Sequence, residues 1–240
     1  MTTFLHSGDM GDIVYALPTI RELGGGELLL DTSGGNSNPH VRRQTDVGGR
    51  DRLKFDEEAY NFLAPLIEVQ PYIESVRKWD GGKVDYDLNE FRDYLTDPEV
   101  NLCYAHARAM KVDFAARRHW LELPGEPAKK IYDLVCARCL RYTTAYNWWE
   151  MLAAFTKNHS VVFLGTDLEW EVFQHLFPGW RVERVVVDTA LELAMTIEAG
   201  HSFLANQTLA MAIAVGLGAN FTMEVFPAAP NCVFEWGTYI

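Results

Sequence analysis

The sequence has few cysteines, no long apolar run and no excess of positive charge. Each shortage removes a class of protein. Four cysteines in 240 residues are too few for a disulfide scaffold. Two of them form Cys136-Ala137-Arg138-Cys139, but no second pair and no His-x-x-x-His follows. The pair therefore reads as buried or half-buried thiols rather than a zinc site. No window of about 18 apolar residues occurs, so no transmembrane helix is expected. The first residues are polar and include the acidic Asp9, unlike a secretory signal, and the expected location is the cytoplasm. Formal net charge is −12, with 14 basic against 21 acidic residues before position 125 and 7 against 12 after it. A protein that grips duplex DNA carries a basic face, so a nucleic-acid partner is not expected. The nearest basic clusters are Arg42, Arg43, Arg50, Arg52 and Lys54, and then Arg117-Arg118-His119. Either could meet a phosphorylated small molecule. The seven histidines show no metal-ligand spacing, so no metal site is assigned and metal-independent chemistry is expected. P-loop, nucleophile-elbow and Gly-x-Gly-x-x-Gly motifs are all missing.

What is present is an ordinary globular composition, 48% hydrophobic and 22% charged. The length allows one large domain or two small ones. The chain is organised around Gly8-Asp9-Met10-Gly11-Asp12-Ile13-Val14-Tyr15-Ala16-Leu17-Pro18. A short apolar run, Phe4-Leu5, precedes it, and Thr19-Ile20-Arg21-Glu22-Leu23 continues it as helix. Strand, glycine turn and helix in that order open an α/β domain. Such a turn lies at the carboxyl end of the first strand, where open α/β sheets bind ligands. Asp12 sits where the helix begins and has two readings. It is a helix N-cap, worth about 1 kcal/mol, or a general base facing a cleft.

Gly11-Asp12-Ile13-Val14-Tyr15-Ala16-Leu17-Pro18 resembles the opening signature of glycosyltransferase family 9, the ADP-heptose:lipopolysaccharide heptosyltransferases. The resemblance implies a GT-B fold: α/β, two Rossmann-like domains with parallel sheets facing a central cleft. It implies that Asp12 is the catalytic base, with Gly11 beside it. His6, which could line the cleft, and Asp9 are the next candidates; His40 and His106 are weaker ones.

Along the chain, Gly24-Gly25-Gly26 ends the first helix and residues 27–31 read as the second strand. Residues 32–39 are a loop, and residues 40–54 receive no assignment. Helical spacing returns at 56–66, with acids in the first turn. Residues 75–79 read as a strand, 85–89 as an edge strand, and 90–95 and 106–114 as helices. Pro124-Gly125-Glu126-Pro127 stops any regular element and places a domain boundary, giving an acceptor-side domain over 1–125 and a nucleotide-sugar domain over 126–240. The second half alternates clearly. Strands are expected at 130–136, 160–165, 181–187, 202–205 and 221–225. Helices fall at 148–155, 169–176, 190–199 and 208–217. Alternation of this kind builds a parallel, doubly wound sheet.

Asn206, Gln207 and Thr208 follow a strand and open a helix, where unpaired N–H groups and the helix dipole attract an anion. Plain capping by Asn206 is the alternative reading. The layout is similar to the place where the family carries Asp-Thr-Gly-x-x-His and binds the nucleotide-sugar diphosphate. Here the aspartate, glycine and histidine positions read Asn206, Thr208 and Met211. The resemblance further implies that Gly165 ends a strand below the nucleoside, that Glu169 contacts it, and that an arginine after the first strand of the second half meets phosphate. Arg141 is preferred there over Arg138. As an alternative, Glu169 is a first-turn acid stabilising its own helix.

The function expected is transfer of a sugar from a nucleotide-diphosphate sugar to an acceptor hydroxyl. The nucleotide sugar is a substrate and no cofactor is expected. Two other readings stand beside it. One is a binding module that kept the fold and lost the chemistry, which the altered 206–211 segment motivates. The other is a viral-type glucosyltransferase acting on a modified DNA base, against which the acidic balance argues.

Overall fold

The computed structural model describes residues 1–33, 43–45, 51–53, 55–95, 100–113, 119–145, 148–178 and 180–240, with the backbone alone at 43–45, 51–53 and 148–151. The expected loop tip at 34–39, His40, the basic side chains of residues 42–54 and Arg117-Arg118 lie outside the described residues.

The first half contains β1 (Thr3–His6), α1 (Met10–Glu22), β2 (Gly26–Leu30), β3 (Arg43–Thr45), β4 (Asp51–Leu53), α2 (Glu57–Glu68), β5 (Ile73–Lys78) and β6 (Tyr86–Asp87). A 3-10 helix at Leu88–Tyr94 and α3 (Leu102–Ala109) complete it. Four of the strands make a parallel sheet in the order β5-β2-β1-β6, and β3 pairs with β4 as a separate antiparallel hairpin. The second half runs β7 (Tyr132–Ala137), α4 (Trp148–Phe155), β8 (Val161–Leu164), α5 (Asp167–Leu176), β9 (Glu183–Val185), α6 (Ala190–Glu198), β10 (Gly200–Asn206), α7 (Leu209–Leu217), β11 (Phe221–Glu224) and β12 (Thr238–Tyr239). Its sheet, also parallel, has the order β12-β11-β10-β7-β8-β9.

Counted within its own sheet, the second half has the doubly wound order 3-2-1-4-5-6, read from its far edge, and the first half has 3-2-1-4. The winding reverses between the first and fourth strands. Those switch points, β1 against β6 and β7 against β10, are where such sheets hold ligands. The expected α/β class with two parallel sheets is the one found.

Four expectations of detail are corrected. The helix at 106–114 is α3, which ends at Ala109, and Lys111 follows with φ 55°. The edge strand at 85–89 shrinks to Tyr86–Asp87, because Asp87 turns the chain into the 3-10 helix by accepting from the Asn89 N–H at 3.0 Å. The set of strands expected to close at 221–225 is one short, since β12 adds two residues beside β11. The helix expected from Glu169 starts at Asp167.

α1 is apolar nearly all round, with every residue from Ile13 to Ile20 buried, as befits a helix enclosed by other elements. Its end needs glycine. Gly25 has φ 78°, and a Cβ there would stand 2.2 Å from the Tyr72 carbonyl oxygen. Pro18 lies inside α1 and has no N–H for the Val14 carbonyl. That carbonyl instead accepts from Trp120 Nε1 at 3.2 Å. The backbone N–H groups of Trp120 and Leu121 both donate to the Gly216 carbonyl of α7, at 2.9 and 3.0 Å. Residues 120–121 thus form a wedge that ties α1 to α7. A Cβ on Gly216 would stand 2.8 Å from the Leu121 side chain and Trp120 Nε1, so glycine lets the wedge seat. One apolar core runs from Phe4 and α1 through Trp120 to α7 and Phe234. A smaller one, including Leu134, Phe163, Phe173 and Phe177, lies apart from it.

Candidate active site

The turn after β1 is built on a buried histidine. His6 is fully buried, and its Nδ1 accepts from the Gly8 N–H at 2.9 Å. Nδ1 therefore carries the lone pair and Nε2 the proton. Nε2 lies 3.0 Å from Nε2 of His106, whose Nδ1 lies 2.8 Å from the Leu102 carbonyl oxygen. Only one assignment satisfies every bond: both rings are neutral, His6 donates to His106, and His106 donates to Leu102. Phe91 stacks on His106 with ring centroids 4.0 Å apart. Burial, then His106 and Arg92, pushes the His6 pKa well below its usual 6.5. Burial holds His106 at about 3, against the Leu102 carbonyl bond. The expectation that His6 lines the cleft is therefore corrected; it supports the turn from below.

Asn89 fixes the other side of that turn. Its Oδ1 accepts from the Ser7 N–H at 3.0 Å, the Ser7 hydroxyl at 2.8 Å and Arg92 Nη1 at 3.0 Å. Arg92 Nη2 reaches to 4.0 Å from Asp12 Oδ2. A Cβ on Gly8 would stand 2.8 Å from Arg92 Nη2 and 3.0 Å from Asp12 Oδ2, so glycine is what lets these groups close over the turn. Asp12 is half-buried and lies in the first turn of α1. The N-cap of α1 is Asp9, which corrects the capping reading of Asp12. Asn89 and Arg92 were not singled out in the sequence. An Asn-x-x-Arg directly after an edge strand was the available signal.

Asp85-Tyr86-Asp87 has the Asp-x-Asp spacing of a divalent-ion motif, yet both carboxylates are engaged internally. Asp85 Oδ2 accepts from the Thr3 N–H and hydroxyl at 2.8 and 2.9 Å. Asp87 Oδ1 accepts from the Asn89 N–H and Nδ2 at 3.0 and 2.7 Å. Among the described residues no three His, Cys, Asp or Glu side chains gather as a metal site, and no helix is long and apolar enough to cross a membrane.

On the second sheet, Asn206 does not open α7. It is the last residue of β10, Thr208 is the N-cap, and α7 begins at Leu209. Thr208 Oγ1 accepts from the Met211 N–H at 3.1 Å. The N–H groups at the helix start without intrahelical partners therefore belong to Leu209 and Ala210. The Asn206 side chain is fully buried and clamps the loop after β7. Its Oδ1 accepts from the Cys139 N–H at 2.9 Å. Its Nδ2 donates to the carbonyls of Cys139, Arg141 and Tyr142 at 3.0, 2.9 and 3.3 Å. Gln207 is also engaged internally, donating to the Ala229 carbonyl at 2.8 Å and accepting from the Phe226 N–H at 2.7 Å.

The two arginines after β7 separate clearly. Arg138 makes a fork with the fully buried Glu224, at 3.1 and 3.2 Å. Arg141 is 45% exposed, stands 5.2 Å over the Tyr142 ring, and lies 3.7 Å from Asp9 Oδ2. Gly165 follows β8 directly, and a Cβ there would stand 2.6 Å from Phe163 Cε1. Glu169 Oε2 closes a capping box, accepting from the Thr166 N–H at 2.8 Å. Cys136 is buried and Cys139 half-buried, both as free thiols.

The structure thus brings Asp9, Gly11, Asp12 and Arg92 to face Arg141 and the start of α7. A Cβ on Gly11 would touch Leu209 Cα and Ala212 Cβ at 4.0 Å. Two carboxylates, two arginines and a helix start meet where the carboxyl ends of both sheets converge. That arrangement can take an anion on one side and a proton on the other.

The fold matches solved structures over the full chain. A glycosyltransferase family 9 structure from Veillonella parvula is 12% identical, with a TM-score of 0.64 over 100% of this chain and 85% of that one. The E. coli heptosyltransferase WaaC with ADP-2-deoxy-2-fluoro heptose is 9% identical, with a TM-score of 0.61 over 100% and 92%. E. coli ADP-heptose lps heptosyltransferase II is 12% identical, with a TM-score of 0.60 over 100% and 90%. No family model and no curated protein matches the sequence. At these identities the likeness is one of fold, and it is the GT-B heptosyltransferase fold that the opening motif implied.

Proposed function

We propose that this chain is a metal-independent glycosyltransferase that moves a sugar from a nucleotide-diphosphate sugar to an acceptor hydroxyl. The observation that carries the reading is that the turn holding Asp9, Gly11 and Asp12 meets Arg141, through Asp9, and the start of α7, through Gly11, at the switch points of two doubly wound sheets. The first half takes the acceptor and the second half the donor. Asp12 removes the proton from the attacking hydroxyl. The departing diphosphate is stabilised by Arg141 and by the Leu209 and Ala210 N–H groups, so the positive potential comes from a guanidinium and a helix end. The fold neighbours support the class, since one of them holds an ADP-sugar analogue. This chain's donor sugar, nucleotide and acceptor are left open by that reading.

A second reading has its own observation. Asn206 and Gln207, at the turn that would face the diphosphate, direct their side chains inward. A module that binds a nucleotide without turning it over would be built this way. Incubation with a panel of nucleotide sugars, read for release of nucleoside diphosphate, separates the two. Release by wild type and its loss in Asp12→Asn support the enzyme. Binding without release supports the module.

A further inference from the structure

Asp9 occupies the N-cap position of α1 but makes no side-chain capping bond. This is unusual for an aspartate there, because a capping carboxylate normally accepts from the N–H two or three residues on. Its carboxylate lies instead 3.7 Å from Arg141 Nη1, across the cleft, on a residue of the other half. Arg141 cannot follow by moving its backbone. Asn206 holds its carbonyl and those of Cys139 and Tyr142, and Tyr142 has φ 49°. The half-exposed side chain is the part left to shift. The pair is also loose, since a charge-assisted hydrogen bond is about 2.7–2.9 Å long. Arg138 shows the contrast: its fork on buried Glu224 leaves it committed.

We infer that Asp9 is a built-in competitor of the donor phosphate: its carboxylate holds Arg141 across the cleft and gives it up when a diphosphate arrives. The inference rests on the reading of this cleft as a donor site. A diphosphate carries more charge than one carboxylate and offers the guanidinium a paired set of oxygens. A carboxylate displaced from Arg141 remains at the N-cap position, where an aspartate side chain ordinarily accepts from the backbone N–H two or three residues on. Asp9 thus alternates between bridging the two halves and capping α1, and the ligand selects the second state. The cost of breaking the bridge is part of the apparent donor affinity.

Titration calorimetry with ADP, UDP, GDP and CDP on wild type, Asp9→Asn, Arg141→Ala and the double variant tests this. Asp9→Asn keeps a capping oxygen and removes the charge, and should bind the preferred diphosphate about threefold to tenfold tighter. Asp9→Ser, another uncharged cap, should shift in the same direction. Arg141→Ala should bind more weakly, and adding Asp9→Asn to it should change affinity by less than about twofold. A gain of equal size in the Arg141→Ala background would mean a general charge effect and overturn the inference. So would equal or weaker binding by Asp9→Asn when wild type binds. If neither protein binds any of the four, the donor-site reading falls and this inference falls with it.

Discussion

His6 and His106, one hundred residues apart in the chain, place their Nε2 atoms 3.0 Å from each other in a site sealed from solvent. The pair joins the turn that carries Asp9 and Asp12 to the first turn of α3, through the Gly8 N–H at one end and the Leu102 carbonyl at the other. Both rings must stay neutral for the chain of bonds to hold. The candidate site therefore stands on a support whose chemistry depends on pH.

This support should make stability fall in mild acid. Both folded-state pKa values lie below 6.5, His106 at about 3. Between those limits the unfolded chain binds protons that the folded chain does not. The stabilisation is complete above pH 6.5 and is lost as pH drops below it, by up to about 1.4 kcal/mol per pH unit for each histidine. Urea midpoints at pH 7, 6 and 5 should decline more steeply for wild type than for His106→Gln. Parallel declines would show that the pair is not the titrating element.

Asn206→Asp introduces the aspartate that the resemblance to glycosyltransferase family 9 leads one to expect here, yet it should harm this protein. The carboxylate cannot donate to the carbonyls of Cys139, Arg141 and Tyr142, and would face them as a buried charge. A loss of about 3 kcal/mol or more is expected, read as a lower denaturation midpoint. Unchanged stability would mean that the loop has another way to close.

Trp120→Phe should cost about 1–3 kcal/mol, because it leaves the Val14 carbonyl without the indole N–H that replaces the missing Pro18 donor. Chemical denaturation measures it. In a Pro18→Ala background the same substitution should cost less, since an alanine at that position supplies the helical N–H that proline lacks. Equal costs in both backgrounds would argue against the substitution of one donor for the other.

Asp12→Asn should leave folding within about 1 kcal/mol of wild type, since Asp12 is a first-turn residue and not the cap. Sugar transfer or donor hydrolysis should drop by about 10²-fold or more, with diphosphate affinity nearly kept. Full activity would remove Asp12 from the role of base.

The fold was legible because its strands are short apolar runs that alternate with helices bounded by Gly, Pro, Thr and Asp. Ser160-Val161-Val162-Phe163-Leu164-Gly165 and Lys130-Ile131-Tyr132-Asp133-Leu134-Val135-Cys136 read correctly as strands for this reason. β12 was not legible, because two residues carry no period. The placement of Asp12, Arg141 and the α7 turn in one region followed from topology. The roles of individual side chains did not. Asn206 could be seen to follow a strand, but its four bonds depend on a loop more than sixty residues away. Asp9 and Asp12 are both acids near a helix start, and only the start at Met10 decides which is the cap. The His6–His106 pair and the Asp9–Arg141 bridge join distant segments, and no local pattern announces such contacts.

The most direct test of the account is binding of a nucleoside diphosphate at the Arg141 side of the cleft. Calorimetric titration of wild type and Arg141→Ala with ADP, UDP, GDP and CDP reads it. At least one diphosphate should bind wild type at submillimolar concentration, and Arg141→Ala should bind that ligand about tenfold more weakly, the loss of roughly one charge-assisted contact. No binding of any of the four at millimolar concentration, or equal binding by the two proteins, would contradict the account.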